Sequence, residues 1–346
     1  MMSDWKTYLE NAGAVIENNV VIHFGNFTEE MECVTDSEVI SDLTHTGLIS
    51  AHGDDTQTFL QGQLTNDVQE VNTQHSQLTG YCSPKGRLLA LIRLFYATDR
   101  YYLHLPADIL PAILKRLGMF VLRSKVTLED ASDSLVCVGL SGPQSDKLLN
   151  DTLDVSPREV DQVAVTDRIT VIRIPGTQPR FELIGPLDDI KTAWEKLCKV
   201  ARPVGNTAWR RLEILAGIPA IYMETMDMFV PQMVNLEAFD GINYKKGCYT
   251  GQEVVARLHY RGNLKRRMYL AHTDATIAPQ PGDTLYSPNA GSAEGAGMVV
   301  DAEADPAGGY DLLVVIRIPY AESDEVHLHD DKGAKLQFQR LPYSMN

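Results

Sequence analysis

The sequence predicts an α+β fold that ends in a small antiparallel β-domain. Three observations carry this. Strand-like and helix-like segments are mixed rather than strictly alternating, unlike a doubly wound sheet. A strand–strand–helix pattern near 87–117 recurs near 169–200. After Arg267 the texture changes to short strand candidates separated by Pro/Gly-rich turns, the spacing of a small barrel or sandwich.

Met1 to about Ser41 is acidic and poorly patterned, and reads as an arm or irregular lead-in. Leu48–His52 reads as a strand, and Asp54 or Asp55 can cap a helix through about Gln63. Tyr81-Cys82-Ser83-Pro84-Lys85-Gly86 is a turn joining strands near 78–82 and 87–96, with another strand over 100–105. Ala107–Leu117 places Ile109, Leu110, Ile113, Leu114 and Leu117 on one helical face. Strands follow at 125–128 and 135–140, then a helix opened by Ser141-Gly142-Pro143. The repeat gives strands near 169–174 and 180–185 and a helix near 187–200. Trp209–Ala216 reads as a helix ending at Gly217-Ile218-Pro219. The C-terminal strand candidates are 268–272, 283–286, 297–301, 312–318, 325–328 and 335–339.

The 346 residues suit two or three domains, and 44% hydrophobic with 22% charged residues is ordinary globular composition. The five cysteines (33, 82, 137, 198, 248) are scattered, with no CxxC pair and no zinc-finger spacing, so no metal site is expected and a reduced, cytoplasmic setting fits. The first eleven residues hold no signal-peptide apolar stretch, and no run of about 18 apolar residues suggests a membrane span. A net charge of −15 argues against direct tRNA binding. No His-Glu-x-x-His, Gly-x-Ser-x-Gly or phosphate loop occurs.

The most informative run is Lys245-Lys246-Gly247-Cys248-Tyr249-Thr250-Gly251-Gln252-Glu253, at the expected mouth of a helix over about 251–259 with Val254, Val255 and Leu258 apolar. Helix N–H groups and nearby cations favour a thiolate. A lone cysteine is also commonly a small buried hydrophobe, so both readings of Cys248 stand. From Lys245 to Arg267 there are seven cations (245, 246, 257, 261, 265, 266, 267) and one acid, Glu253, a basic island on an acidic chain. Glu253 and Arg257, four apart, also suit plain helix support.

This run, continued by Val254-Val255-Ala256-Arg257 and Tyr260-Arg261-Gly262, closely resembles the signature of the YgfZ folate-binding proteins, paralogues of the T-protein (aminomethyltransferase) of glycine cleavage. Further matches are Phe59–Val68, Tyr81–Arg87, the 120–126 segment, Ala216–Pro219, Phe229–Met233 and Leu341–Ser344, so the resemblance covers roughly 43–344. It implies two interleaved α+β folate-binding domains over 43–266, after a lead-in of 1–42, and a C-terminal antiparallel β-barrel domain over 267–346, in a cloverleaf arrangement. It implies binding of tetrahydrofolate or a derivative, and support of iron–sulfur client enzymes, including those that modify tRNA.

Carried over residue by residue, the resemblance makes Cys248 the key thiol, accepting or exchanging a one-carbon, sulfur or iron-linked group. It points to folate contacts from Trp209, Thr46, Gln232, Lys246, Gly247, Tyr249, Gly251, Gln252, Glu253 and Arg261. Trp209 falls where the family stacks a tryptophan on the folate rings; a core aromatic on an amphipathic helix is the equal alternative. Thr46 falls where some members have a second ring contact, and no Trp stands there. The chain departs from the T-protein twice. Gly86-Arg87-Leu88-Leu89-Ala90-Leu91 lacks the aspartate tied to aminomethyl transfer, and Leu215 replaces a Glu before Ala216-Gly217. Whether the chain is itself an enzyme, a folate-dependent one-carbon transferase, is left open.

Overall fold

The structure is a computed structural model describing residues 2–288, 290, 295–323 and 325–345. The chain divides into two compact units that are interleaved in sequence. One comprises Met1–Phe59, Gln69–Gln77 and Arg93–Leu212; the other comprises Leu60–Val68, Leu78–Ile92 and Glu213–Asn346. The strand Leu88–Ala97 therefore begins in the second unit and ends in the first.

In the first unit a six-stranded sheet runs in the order Val163–Thr166, Ile169–Ile174, Arg180–Gly185, Val136–Ser141, Val39–Asp42, Arg202–Val204. Neighbours are antiparallel except the last pair. Its apolar face is covered by Met2–Asn11, Ser145–Leu153 and Leu187–Leu197 through Trp5, Leu9, Leu148, Leu149, Ile190 and Trp194. The same unit holds the antiparallel strands Arg93–Ala97, Arg100–Pro106, Thr46–His52 and Thr127–Asp130, with helix Leu110–Val121 burying Leu110, Ile113 and Leu117.

The N-terminal stretch corrects the sequence reading. It is not an irregular arm: it carries helices Met2–Asn11 and Phe27–Cys33, the hairpin Val15–Glu17/Val20–His23 and a central strand of the sheet. Trp5 is fully buried, and its Nε1 donates to Asp42 Oδ1 at 2.7 Å. The helix is short, and its buried face rests on Trp5 and Leu9, too few apolar positions to stand out as a period.

In the second unit the C-terminal strands form one antiparallel sheet, ordered His327–Leu328, Thr284–Tyr286, Gly297–Ala304, Tyr310–Arg317, Arg266–Thr273, Leu336–Gln339. The sheet curls until its edges meet: His327 bridges Lys335, and Leu336 N–H donates to Val326 C=O at 2.8 Å. Closure of this kind removes unpaired edges. Alternation along Tyr310–Arg317 feeds two cores. Leu312, Val314 and Ile316 join one; Leu313 and Val315 join another with Leu78, Leu88, Leu91, Ile214, Phe229 and Val255.

Candidate functional site

The motif loop sits in the second unit, held by segments distant in sequence. The helix is Gln252–Arg261, and its N-cap is Gly251 in the left-handed region, φ +83°. A Cβ on Gly251 would stand 2.5 Å from Ser83 C=O and 2.9 Å from Gly86 Cα; one on Gly86 would stand 2.7 Å from Val254 Cβ. The turn Ser83–Gly86 thus packs backbone to backbone on the helix cap, and only glycine fits both faces. Ser83 Oγ donates to Asp227 Oδ1 at 2.6 Å, fixing the turn in its place. Gln232 Nε2 donates to Val255 C=O at 2.8 Å and to Tyr244 OH at 3.1 Å, tying Pro231–Val234 to the helix.

Lys246 corrects the reading of an open basic island. Its side chain is buried, and Nζ donates to Leu64 C=O at 2.7 Å and Asn66 C=O at 2.6 Å. Burial pulls its pKa down to about 8, partly opposed by Asp67. Its work is to pin the loop onto segment 64–66, where Asn66 Nδ2 also donates to Asp240 C=O and Thr65 Oγ1 to Gly241 C=O, both at 2.7 Å. Of the other six cations, Lys245, Arg257, Arg261 and Lys265 are exposed, and Arg266 and Arg267 are half-buried.

Cys248 is exposed, three residues ahead of the helix cap rather than at it. Gln252 Nε2 reaches Gly247 C=O at 3.4 Å, and Tyr249 is buried against Lys246, whose Nζ lies 5.4 Å from its ring centroid. Burial, then the charge of Cys82, raises the Tyr249 pKa. No atom lies within 4 Å of a Cβ built on Gly247, so bare backbone stands beside the thiol. The remaining cysteines are buried or half-buried. Burial pushes Cys198 up to about 12, burial and then Asp227 push Cys82 up to about 12, and Cys137 and Cys33 are raised mainly by burial. Glu253 and Arg261 are exposed on the helix; of the expected apolar positions, Val255 is buried, Leu258 half-buried and Val254 exposed.

The same unit holds a cavity of about 600 Å³ lined by Lys265, Arg266, Arg317 and Tyr320. Arg266 and Arg317 are directly opposite in the strand register.

Trp209 and Thr46 lie in the first unit. Trp209 is 1% exposed, on helix Asn206–Leu215, and its six-membered ring packs on Gly139, where a Cβ would come within 2.4 Å. The Arg180 guanidinium lies 4.5 Å from the ring centroid. The core-aromatic alternative describes this geometry, and stacking on a folate would require Arg180 to move.

Thr46 belongs to a buried polar cluster that the sequence reading missed. Its Oγ1 is 2.6 Å from His104 Nε2, and His104 Nδ1 is 3.1 Å from Glu182 Oε2. Arg93 lies 3.8 Å from Glu182 and pairs with Asp161. Burial would raise the Glu182 pKa, but His104, Arg93 and Arg180 outweigh it and hold it near 2. His45 belongs to the same electrostatic group: burial, Arg210 and His104 lower its pKa to about 3, and its Nδ1 is sealed without a hydrogen-bond partner. These residues are far apart in sequence; the one available signal was a Glu inside a strand whose six residues are all buried.

Where the T-protein pattern carries its acid, Leu89 and Ala90 are apolar and buried. No helix among the described residues is long and apolar enough to cross a membrane.

A model of the GCVT N-terminal domain matches residues 13–243. The chain is 31% identical over 301 residues to the tRNA-modifying protein YgfZ of Photorhabdus laumondii subsp. laumondii, covering 87% of this chain and 91% of that protein. It is 30% identical over 298 residues to the tRNA-modifying protein YgfZ of Yersinia enterocolitica, covering 86% and 90%. Among solved structures, glycine cleavage system aminomethyltransferase T from Bartonella henselae matches with a TM-score of 0.76 at 17% identity, covering 97% of this chain and 96% of that one. That likeness establishes the fold, an α+β aminomethyltransferase-type fold with a curled C-terminal sheet, and the sequence identities establish the kinship: the chain belongs to the YgfZ family of tRNA-modifying proteins.

Proposed function

We propose that this protein binds a reduced folate and supports the assembly or repair of iron–sulfur enzymes, those of tRNA modification included, in the cytoplasm, with Cys248 as its working thiol. The observation that carries the reading is the contrast among cysteines. Cys248 is exposed on a loop fixed by Gly251 and Lys246, while burial protonates Cys82, Cys137 and Cys198. A fixed, accessible thiol beside bare backbone suits transfer of a small group to or from a partner.

The residues present fit a folate. The cavity of Lys265, Arg266 and Arg317 suits the carboxylates of the folate tail, and Arg261 and Lys245 add to the local field. Reduced folate, when bound, supplies a carrier for one-carbon units. The chain's own part is to neutralise the tail and present Cys248. Aminomethyl transfer is not part of the proposal, because Leu89 and Ala90 can neither take a proton nor stabilise a developing cation.

The test titrates tetrahydrofolate into wild type and Cys248→Ser while measuring the activity of an iron–sulfur client enzyme. Equal folate affinity in the two proteins, with client support lost in Cys248→Ser, is expected. Absence of folate binding, or full client support by Cys248→Ser, overturns the reading.

A further inference from the structure

We infer that the C-terminal sheet carries a site for a first-row divalent cation, Zn²⁺ in particular, formed by His272, Asp305 and Asp311. His272 on Arg266–Thr273 is the direct cross-strand partner of Asp311 on Tyr310–Arg317, and Asp305 stands in the turn that joins Gly297–Ala304 to Tyr310–Arg317. One ligand atom from each residue lies within 4.8 Å of the other two. His272 Nδ1 is 3.3 Å from Asp311 Oδ1 and 3.5 Å from Asp305 Oδ2. Zinc bonds of ~2.0–2.1 Å at tetrahedral angles set neighbouring ligand atoms about 3.3–3.4 Å apart, close to the separation of His272 Nδ1 from each carboxylate.

Two features outside the triad orient its donors. Asp274 Oδ1 lies 3.5 Å from His272 Nε2, where it can accept the ring proton once Nδ1 is given to a metal. The backbone N–H of Ala307 donates to Asp305 Oδ1 at 3.1 Å, which turns Oδ2 to His272. Gly309 keeps the ring's flank open, since a Cβ there would stand 3.1 Å from Nε2. An imidazole nitrogen with two carboxylates suits zinc better than magnesium. With three protein ligands, the fourth position falls to water or a partner's group. No short ligand spacing marks this site in the sequence; strand register and the following turn bring His272 to Asp311 and Asp305, 39 and 33 positions on.

The test uses the full chain stripped with EDTA. Zn²⁺ is titrated calorimetrically, and Co²⁺ serves as the optical probe. One saturable site, a Tm raised by Zn²⁺ more than by Mg²⁺, and Co²⁺ d–d bands without a sulfur charge-transfer band are expected. Asp305→Asn, which keeps the acceptor for Ala307 N–H, and His272→Gln should each lose at least tenfold in Zn²⁺ affinity. A sulfur charge-transfer band would place the cation on a cysteine instead. That result, affinity unchanged in either folded variant, or no binding at all, overturns the inference and leaves a metal-free His–Asp pair.

Discussion

Two glycines four positions apart in the same motif should respond oppositely to a single methyl group. Gly251 has φ +83° and ψ 0°. Alanine there incurs roughly 1–2 kcal/mol for the left-handed backbone. Its Cβ would also press on Ser83 C=O at 2.5 Å and Gly86 Cα at 2.9 Å, backbone atoms that cannot rotate aside. Overpacking of this kind costs ~1–3 kcal/mol. The sum, about 2–5 kcal/mol, is a large share of a typical stability of ~5–15 kcal/mol. Gly247 has no such φ and nothing within 4 Å of its Cβ, so Gly247→Ala should stay within about 0.5 kcal/mol of wild type. Urea midpoints at constant m-value measure both. Matching stabilities for the two variants, or a Gly247→Ala as damaged as Gly251→Ala, would refute the account of the loop. A stable Gly247→Ala that no longer supports client enzymes would show that a ligand uses the bare backbone beside Cys248.

Other consequences are as direct. In native protein at neutral pH, Cys248 should be alkylated first: a thiol with a pKa of about 12, as at Cys82 and Cys198, holds roughly a thousandth of the thiolate of a free cysteine, and mass mapping that finds either labelled as fast would contradict this. Trp209→Ala should destabilise by about 3–5 kcal/mol through its cavity alone; if it folds and binds tetrahydrofolate like wild type, Trp209 is a core residue only. Acid should withdraw stability from the first unit over two overlapping pH ranges. His45, with a folded pKa of about 3, withdraws stability as pH falls from about 6.5, and Glu182, near 2, does so below about 4.5, because in each window the unfolded chain binds the extra proton. Urea midpoints of His45→Gln and Glu182→Gln measured across pH should each lose that residue's share of the pH dependence. For Lys246, whose folded pKa is about 8 against about 10.5 unfolded, the stability of wild type relative to Lys246→Met should rise between those pH values; a flat difference would place the ammonium in solvent.

Periodic segments were legible and solitary ones were not. The six C-terminal strands were readable because short apolar runs such as Leu312–Ile316 sit between Pro/Gly-rich turns. The motif helix was placed within a residue at its start: Gly251 is its N-cap and Gln252 its first residue. What could not be read was the use of each polar atom. Lys246 looks like a surface cation in sequence, yet it serves two carbonyls some 180 residues away. Thr46, His104 and Glu182 become one cluster only when their strands bring them together. The first helix was missed because burying Trp5 depends on Asp42, a partner 37 positions on.

The interleaving of the units constrains how the protein can be made. The core containing Leu78, Leu88 and Leu91 is completed by residues from Ile214 to Val315. During synthesis, that N-terminal hairpin leaves the ribosome with its apolar face bare and waits for more than a hundred further residues. At ~5–20 residues per second the delay is on the order of ten seconds, long enough for chaperone capture or aggregation to compete. A nonsense or frameshift product ending before the barrel should therefore be cleared as an unfolded chain rather than persist as a stable N-terminal fragment.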